Sequence, residues 1–218
     1  MSPPDLTGPE IGALNGTAKS LVIFLHGLGA DGHDLISLAP LWIESMPDTA
    51  FISPNAPYPC EGAPMGRQWF KLWDQTPDQI SANAKMATPI LENFIARKLK
   101  SYGVPANKLA LVGFSQGTMM SLEFALRYPE KIAGIVGYSG ALLGAEKLAQ
   151  EIKAKPPVLL IHGQDDPVVP PAMMAMAEGA LKAAGIEVET HLRPNLQHGI
   201  DDIGVHLGGE FLKRVLYS

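Results

Sequence analysis

Ser115 stands at the centre of Gly113-Phe114-Ser115-Gln116-Gly117, with the apolar run Leu109 to Val112 before it and the helix-forming pattern Thr118 to Leu126 after it. A chain that turns from strand to helix at one residue forces that residue into a strained conformation. Side chains two positions either side would collide, which is why glycines belong there. The hydroxyl then projects from the C-terminal edge of a sheet beside a helix N-terminus, a setting suited to attack on a carbonyl carbon. The competing role for a serine at such a junction is to cap the helix.

A serine hydroxyl needs an imidazole to take its proton and a carboxylate to orient that imidazole. On a strand-turn-helix elbow the chain order is serine, acid, histidine, which leaves His162, His191, His198 and His206. His162 closes the run Val158 to Ile161, His191 lies within the run 188–192, and His206 falls in the last helical pattern. The first two are therefore expected to be buried structure. His198, in Arg193-Pro194-Asn195-Leu196-Gln197-His198-Gly199, alone lies in a loop after a strand and is the expected base. For the acid, Asp165 and Asp166 compete after the same run; Pro167 confines Asp166 to extended backbone, and Asp166 is preferred, with Asp165 as a turn residue.

The negative charge of a tetrahedral intermediate calls for two backbone N–H donors. Gln116 follows the nucleophile directly. Leu28 is the expected second donor, in His26-Gly27-Leu28-Gly29-Ala30-Asp31-Gly32-His33, where glycines let backbone approach a ligand closely. His26 and His33 lack matching carboxylates or cysteines for a metal site, and the glycines match neither a dinucleotide fingerprint nor a P-loop.

The elements that must position these residues follow from hydrophobic pattern. Apolar runs at 21–25, 50–52, 109–112, 133–136, 158–161 and 188–192 alternate with helical patterns at 81–101, 117–128, 171–184 and 205–217, with Gly103 and Gly185 as stops. That alternation predicts an α/β fold: a mostly parallel sheet with helices on both faces, in one domain spanning 1–218. Residues 53–80 are expected to be a long proline-rich loop over the active site, carrying Gln68-Trp69-Phe70-Lys71-Leu72-Trp73; its aromatics either contact a ligand or pin the loop to the body. Met119, Met120, Met173, Met174 and Met176 are assigned to packing.

Seventeen Lys and Arg against 22 Asp and Glu, with no basic run, leave no footprint for nucleic acid. The first residues lack the pattern of a secretion signal and no long apolar span occurs, which points to a cytoplasmic protein with no stable membrane insertion. The lone Cys60 excludes an internal disulfide and reads as a loop residue. Exposed loop aromatics would suit a weak homodimer contact.

His26-Gly27-Leu28-Gly29-Ala30-Asp31-Gly32, Gly113-Phe114-Ser115-Gln116-Gly117, Asp166-Pro167-Val168-Val169-Pro170 and Gln197-His198, in that order, resemble the phospholipase/carboxylesterase family of the α/β-hydrolases, which includes acyl-protein thioesterases. The resemblance runs from Leu21 to Tyr217. It implies a Ser115, Asp166, His198 triad, oxyanion donors at Leu28 and Gln116, and no cofactor or metal. Trp69-Phe70 resembles the family's substrate-covering loop, often Trp-Phe-Asp, so Trp69, Phe70 and Leu72 become substrate-binding candidates; here Lys71 replaces the aspartate. The expected activity is that of a serine carboxylesterase on short- to medium-chain acyl esters. A thioesterase or lysophospholipase is the alternative, and a non-catalytic binding module on the same fold the remote one.

Overall fold

The computed structural model describes residues 5–217. In chain order its elements are β1 (Glu10–Ile11), β2 (Ser20–Leu25), α1 (Gly32–Ile36), α2 (Ala39–Trp42), β3 (Thr49–Ile52), β4 (Tyr58–Cys60), β5 (Ala63–Gln68), α3 (Pro77–Tyr102), β6 (Leu109–Phe114), α4 (Gln116–Arg127), β7 (Gly134–Tyr138), α5 (Leu148–Glu151), β8 (Val158–Gly163), α6 (Ala172–Ala183), β9 (Val188–Arg193) and α7 (Asp202–Leu216).

Seven strands form the main sheet in the order β1-β3-β2-β6-β7-β8-β9. All neighbours are parallel except β1, a two-residue edge strand antiparallel to β3. The central strands read as unbroken apolar runs because both faces are covered. Along β2, Leu21, Ile23 and Leu25 join Leu91, Phe94, Met120 and Leu122 in one core, while Val22 and Phe24 join Trp42, Phe211 and Leu212 in the other. The result is an α/β-hydrolase fold with helices on both faces of one sheet.

The expected helices are present, with α3 starting four residues before its apolar pattern. Thr76 and Gln79 form a reciprocal capping box there, with Pro77 in the first turn. Gly103 ends α3 at a φ of 67°. Residues 53–80 depart from the expected continuous loop: β4 and β5 pair as an antiparallel hairpin around Gly62, at a φ of 87°, before α3 begins. Proline obscured it, because Pro59 and Pro64 argue against strand, yet a two-stranded sheet is all edge and tolerates them. Cys60 closes β4 and is buried, so it is not the loop residue expected. Among the described residues no helix is long and apolar enough to cross a membrane.

Candidate active site

After β2 the chain passes to β3 on one side and later to β6 on the other. The loops leaving the C-terminal ends of β2 and β6 therefore diverge and open a crevice, the general position for ligands in open α/β sheets. His26-Gly27-Leu28 leaves β2 and Ser115 leaves β6, and Leu25 pairs with Gly113 just beneath.

Ser115 has φ 53° and ψ −115°, a conformation few non-glycine residues adopt. It holds the N-cap position of α4, yet its side chain makes no capping hydrogen bond, so the competing role fails. Its own N–H donates to the Tyr138 carbonyl at 2.9 Å, tying the turn to β7. A Cβ on Gly117 would lie 1.7 Å from the Leu25 carbonyl oxygen, and one on Gly113 would lie 2.4 Å from the Thr118 nitrogen. Both glycines are thus dictated by contact. The β2 loop presses on the same turn: a Cβ on Gly27 would come within 3.5 Å of the Ser115 Cβ.

His198 lies in the loop after β9, and its Nδ1 is 2.7 Å from Asp166 Oδ2. Asp166 Oδ1 accepts the N–H groups of Val168 and Val169 at 2.8 and 2.9 Å. Burial works to raise the Asp166 pKa, but the His198 bond and these two donors outweigh it and hold the carboxyl below its ordinary value. Asp165 is exposed and contributes its backbone, its N–H donating to the Leu196 carbonyl at 2.9 Å. Of the two aspartates, only Asp166 contacts His198. The His198 loop is held to β8 because Gly163 has no side chain; a Cβ there would lie 2.2 Å from the Gln197 carbonyl oxygen. Arg193 pairs with Asp201 at 3.0 Å across the neck of the loop.

Among the described residues Ser115 Oγ makes no hydrogen bond. His198 is brought to the turn through the Phe114 ring, at 4.9 Å between centroids. Of the other histidines, His162 is buried as expected. His191 is only half-buried because β9 is an edge strand, and His206 is exposed on α7.

The phospholipase/carboxylesterase family model matches residues 6–216. The chain belongs to this family. It is a serine hydrolase of the α/β-hydrolase fold, similar to an esterase named YpfH from Escherichia coli, 29% identical over 196 residues that cover 90% of this chain and 83% of the relative. It is also similar to acyl-protein thioesterase 1 of Gibberella zeae, 31% identical over 194 residues, 81% of this chain and 82% of the relative. The crystal structure of esterase PE8 superposes with a TM-score of 0.94 at 42% identity, covering 98% of this chain and all of that one.

In this family member Trp69 and Phe70, expected against substrate, are each only 1% exposed and belong to the core. Their side chains pin the segment to the body, one of the two roles the sequence left open. Leu72 is half-buried, while Trp73 and Met65 are 52% and 92% exposed. Lys71, at the family's aspartate position, pairs with Glu61 of the hairpin turn at 3.4 Å, both side chains half in solvent.

Two buried polar side chains with no assigned part in the sequence hold this region. The Gln116 amide accepts the Trp69 N–H at 2.8 Å and donates to the Phe70 carbonyl at 2.9 Å. His26 Nδ1 lies 2.7 Å from the Gly27 carbonyl, so that nitrogen carries the proton, and Nε2 accepts the Ala56 N–H at 3.0 Å. Burial holds the His26 pKa below its ordinary value. With both ring nitrogens engaged, His26 has no lone pair for a metal, and His33 is exposed beside Asp31. The Gln116 signal was a polar side chain in an otherwise apolar, tightly packed turn; His26 stood out in the sequence only beside His33, as a pair without matching metal ligands, and at the head of the glycine-rich segment, neither of which points to this role.

Proposed function

We propose that the chain is a serine carboxylesterase acting on short- to medium-chain acyl esters through Ser115, His198 and Asp166. Ser115 Oγ attacks the acyl carbon while His198 Nε2 takes its proton. The C–O bond to the alcohol breaks, and that proton leaves with the alcohol. Water then attacks the acyl-serine, gives a proton to His198, and the acid departs as Ser115 is reprotonated. The N–H groups of Leu28 and Gln116 stabilise the oxyanion in both steps. Among the described residues neither N–H donates to a protein acceptor, which leaves both free for that purpose.

One contact carries this reading: His198 Nδ1 at 2.7 Å from a carboxylate whose other oxygen is already filled by two N–H donors. Asp166 is locked, so the imidazole it orients presents Nε2 outward. The test is labelling by a fluorophosphonate together with hydrolysis of p-nitrophenyl butyrate. Both should be lost in Ser115→Ala, and an alanine variant as fast as wild type defeats the proposal.

Similarity to a thioesterase supports a second reading, hydrolysis of acyl thioesters on proteins. Specificity constants for a short acyl ester and a palmitoylated peptide separate the two. A clear preference for the peptide would move the assignment.

A further inference from the structure

Buried as it is, Trp69 cannot act by touching substrate, yet its two N–H groups are committed in a way that packing alone does not require. Its backbone N–H donates to the side-chain oxygen of Gln116, whose own N–H is one oxyanion donor in the reading above. Its indole Nε1–H donates to the His26 carbonyl at 3.0 Å, two residues before Leu28, the other donor. Between them, Gly27 lies against Phe114 and Ser115.

The strand leading to Trp69 runs along the same loop. Gly29 N–H donates to the Arg67 carbonyl at 2.9 Å, and Arg67 N–H to the Ala30 carbonyl at 2.8 Å. Gly66 permits that approach, since a Cβ there would lie 2.1 Å from the Gly29 oxygen. The chain is thus zipped to residues 29–30, reaches His26 through the indole, and is clamped at 69–70 by both ends of the Gln116 amide. The His26 and Trp69 rings fill the space between, at 5.6 Å between centroids.

We propose that Trp69 is a positioning residue that sets the separation of the Leu28 and Gln116 N–H groups, by bonding both to the loop after β2 that carries Leu28 and to the side chain of Gln116 at the start of α4. The proposal rests on the assignment of those two donors. Oxyanion donors act only over a narrow range of geometry, and a displacement of about 1 Å can cost on the order of a hundredfold in rate. A residue fastened to both sides of the hole is what would hold that tolerance.

The test replaces Trp69 with benzothienylalanine, which keeps the shape of the indole and substitutes sulfur for the N–H, with Trp69→Phe as a second variant. Hydrolysis of p-nitrophenyl butyrate is measured beside inhibition by an alkyl trifluoromethyl ketone, whose serine adduct places an oxyanion in the hole. We expect kcat to fall about tenfold to a hundredfold with KM within about twofold, and the ketone to weaken by the same factor as kcat/KM. Full kcat in the benzothienyl variant overturns the proposal. So does a loss of kcat with undiminished ketone affinity, because the damage then lies outside the hole. Fluorophosphonate labelling of wild-type Ser115 is run in the same series: if it is absent the serine assignment falls first, and if it is present beside a fully active Trp69 variant, only the brace falls.

Discussion

The imidazole of His162 reaches the carboxylate of Asp166 from inside the sheet, with Nε2 3.2 Å from Oδ2. The same nitrogen lies 2.8 Å from the Val169 carbonyl, an acceptor only, so it carries a hydrogen and donates it there. Asp166 Oδ2 therefore faces two imidazoles, His198 toward the crevice and His162 behind it. Removing His162 leaves the buried Val169 carbonyl short of its donor. His162→Leu should lose about 1–3 kcal/mol of stability in urea unfolding, and His162→Gln should recover part of it by restoring an N–H. Equal midpoints for all three proteins would contradict this.

The adjacent aspartates should behave very differently. Asp166→Asn is expected to lower kcat by about ten-thousandfold, as loss of the orienting carboxylate does in other serine enzymes. Asp165 is exposed and contributes a backbone bond that asparagine retains, so Asp165→Asn should stay within about twofold of wild type. Steady-state kinetics on one ester settles the comparison, and a large loss at Asp165 would reverse the assignment.

Glycines in this chain are of two kinds, and alanine scanning separates them. Gly117→Ala drives a Cβ into the Leu25 carbonyl, a backbone atom that cannot step aside, and should cost at least about 3 kcal/mol or prevent folding. Gly179, within α6, has open space where a Cβ would go, so Gly179→Ala should gain about 0.5–1 kcal/mol. Urea midpoints that move the same way for both would be incompatible with these contacts.

His26 gives a pH dependence of known sign. Burial lowers its pKa from 6.5, so below that value the unfolded chain binds a proton that the folded protein does not. Stability attributable to His26 is then lost as pH falls through 6.5, with a slope of up to about 1.4 kcal/mol per pH unit. Between about pH 7.5 and about pH 5.5 the urea midpoint of wild type should fall further than that of His26→Gln. Parallel curves would refute it.

Much of this was legible beforehand, for reasons that vary by element. The central strands and the helices α3, α4, α6 and α7 announce themselves because burial imposes a period on apolar residues that needs no partner to be named. The hairpin β4–β5 did not, since its strands bury little and its prolines speak against pairing. Its partner contacts, Gly29 with Arg67 and Arg67 with Ala30, join residues far apart in the chain. Likewise, Trp69 and Phe70 were visible as aromatics, but whether they faced a ligand or the core depended on what lay beneath them.

The sequence by itself determined the elbow around Ser115 and the family, and it singled out Asp166 over Asp165 and His198 over three other histidines as candidates, because each follows from local sterics or from order along the chain. Only the tertiary structure decided that Gln116 and Trp69 clasp one another, that His26 is a neutral strut, and that His162 stands behind Asp166. Those side chains are buried polar groups, and a buried polar group takes its meaning from the partner that satisfies it, which distance along the chain does not encode.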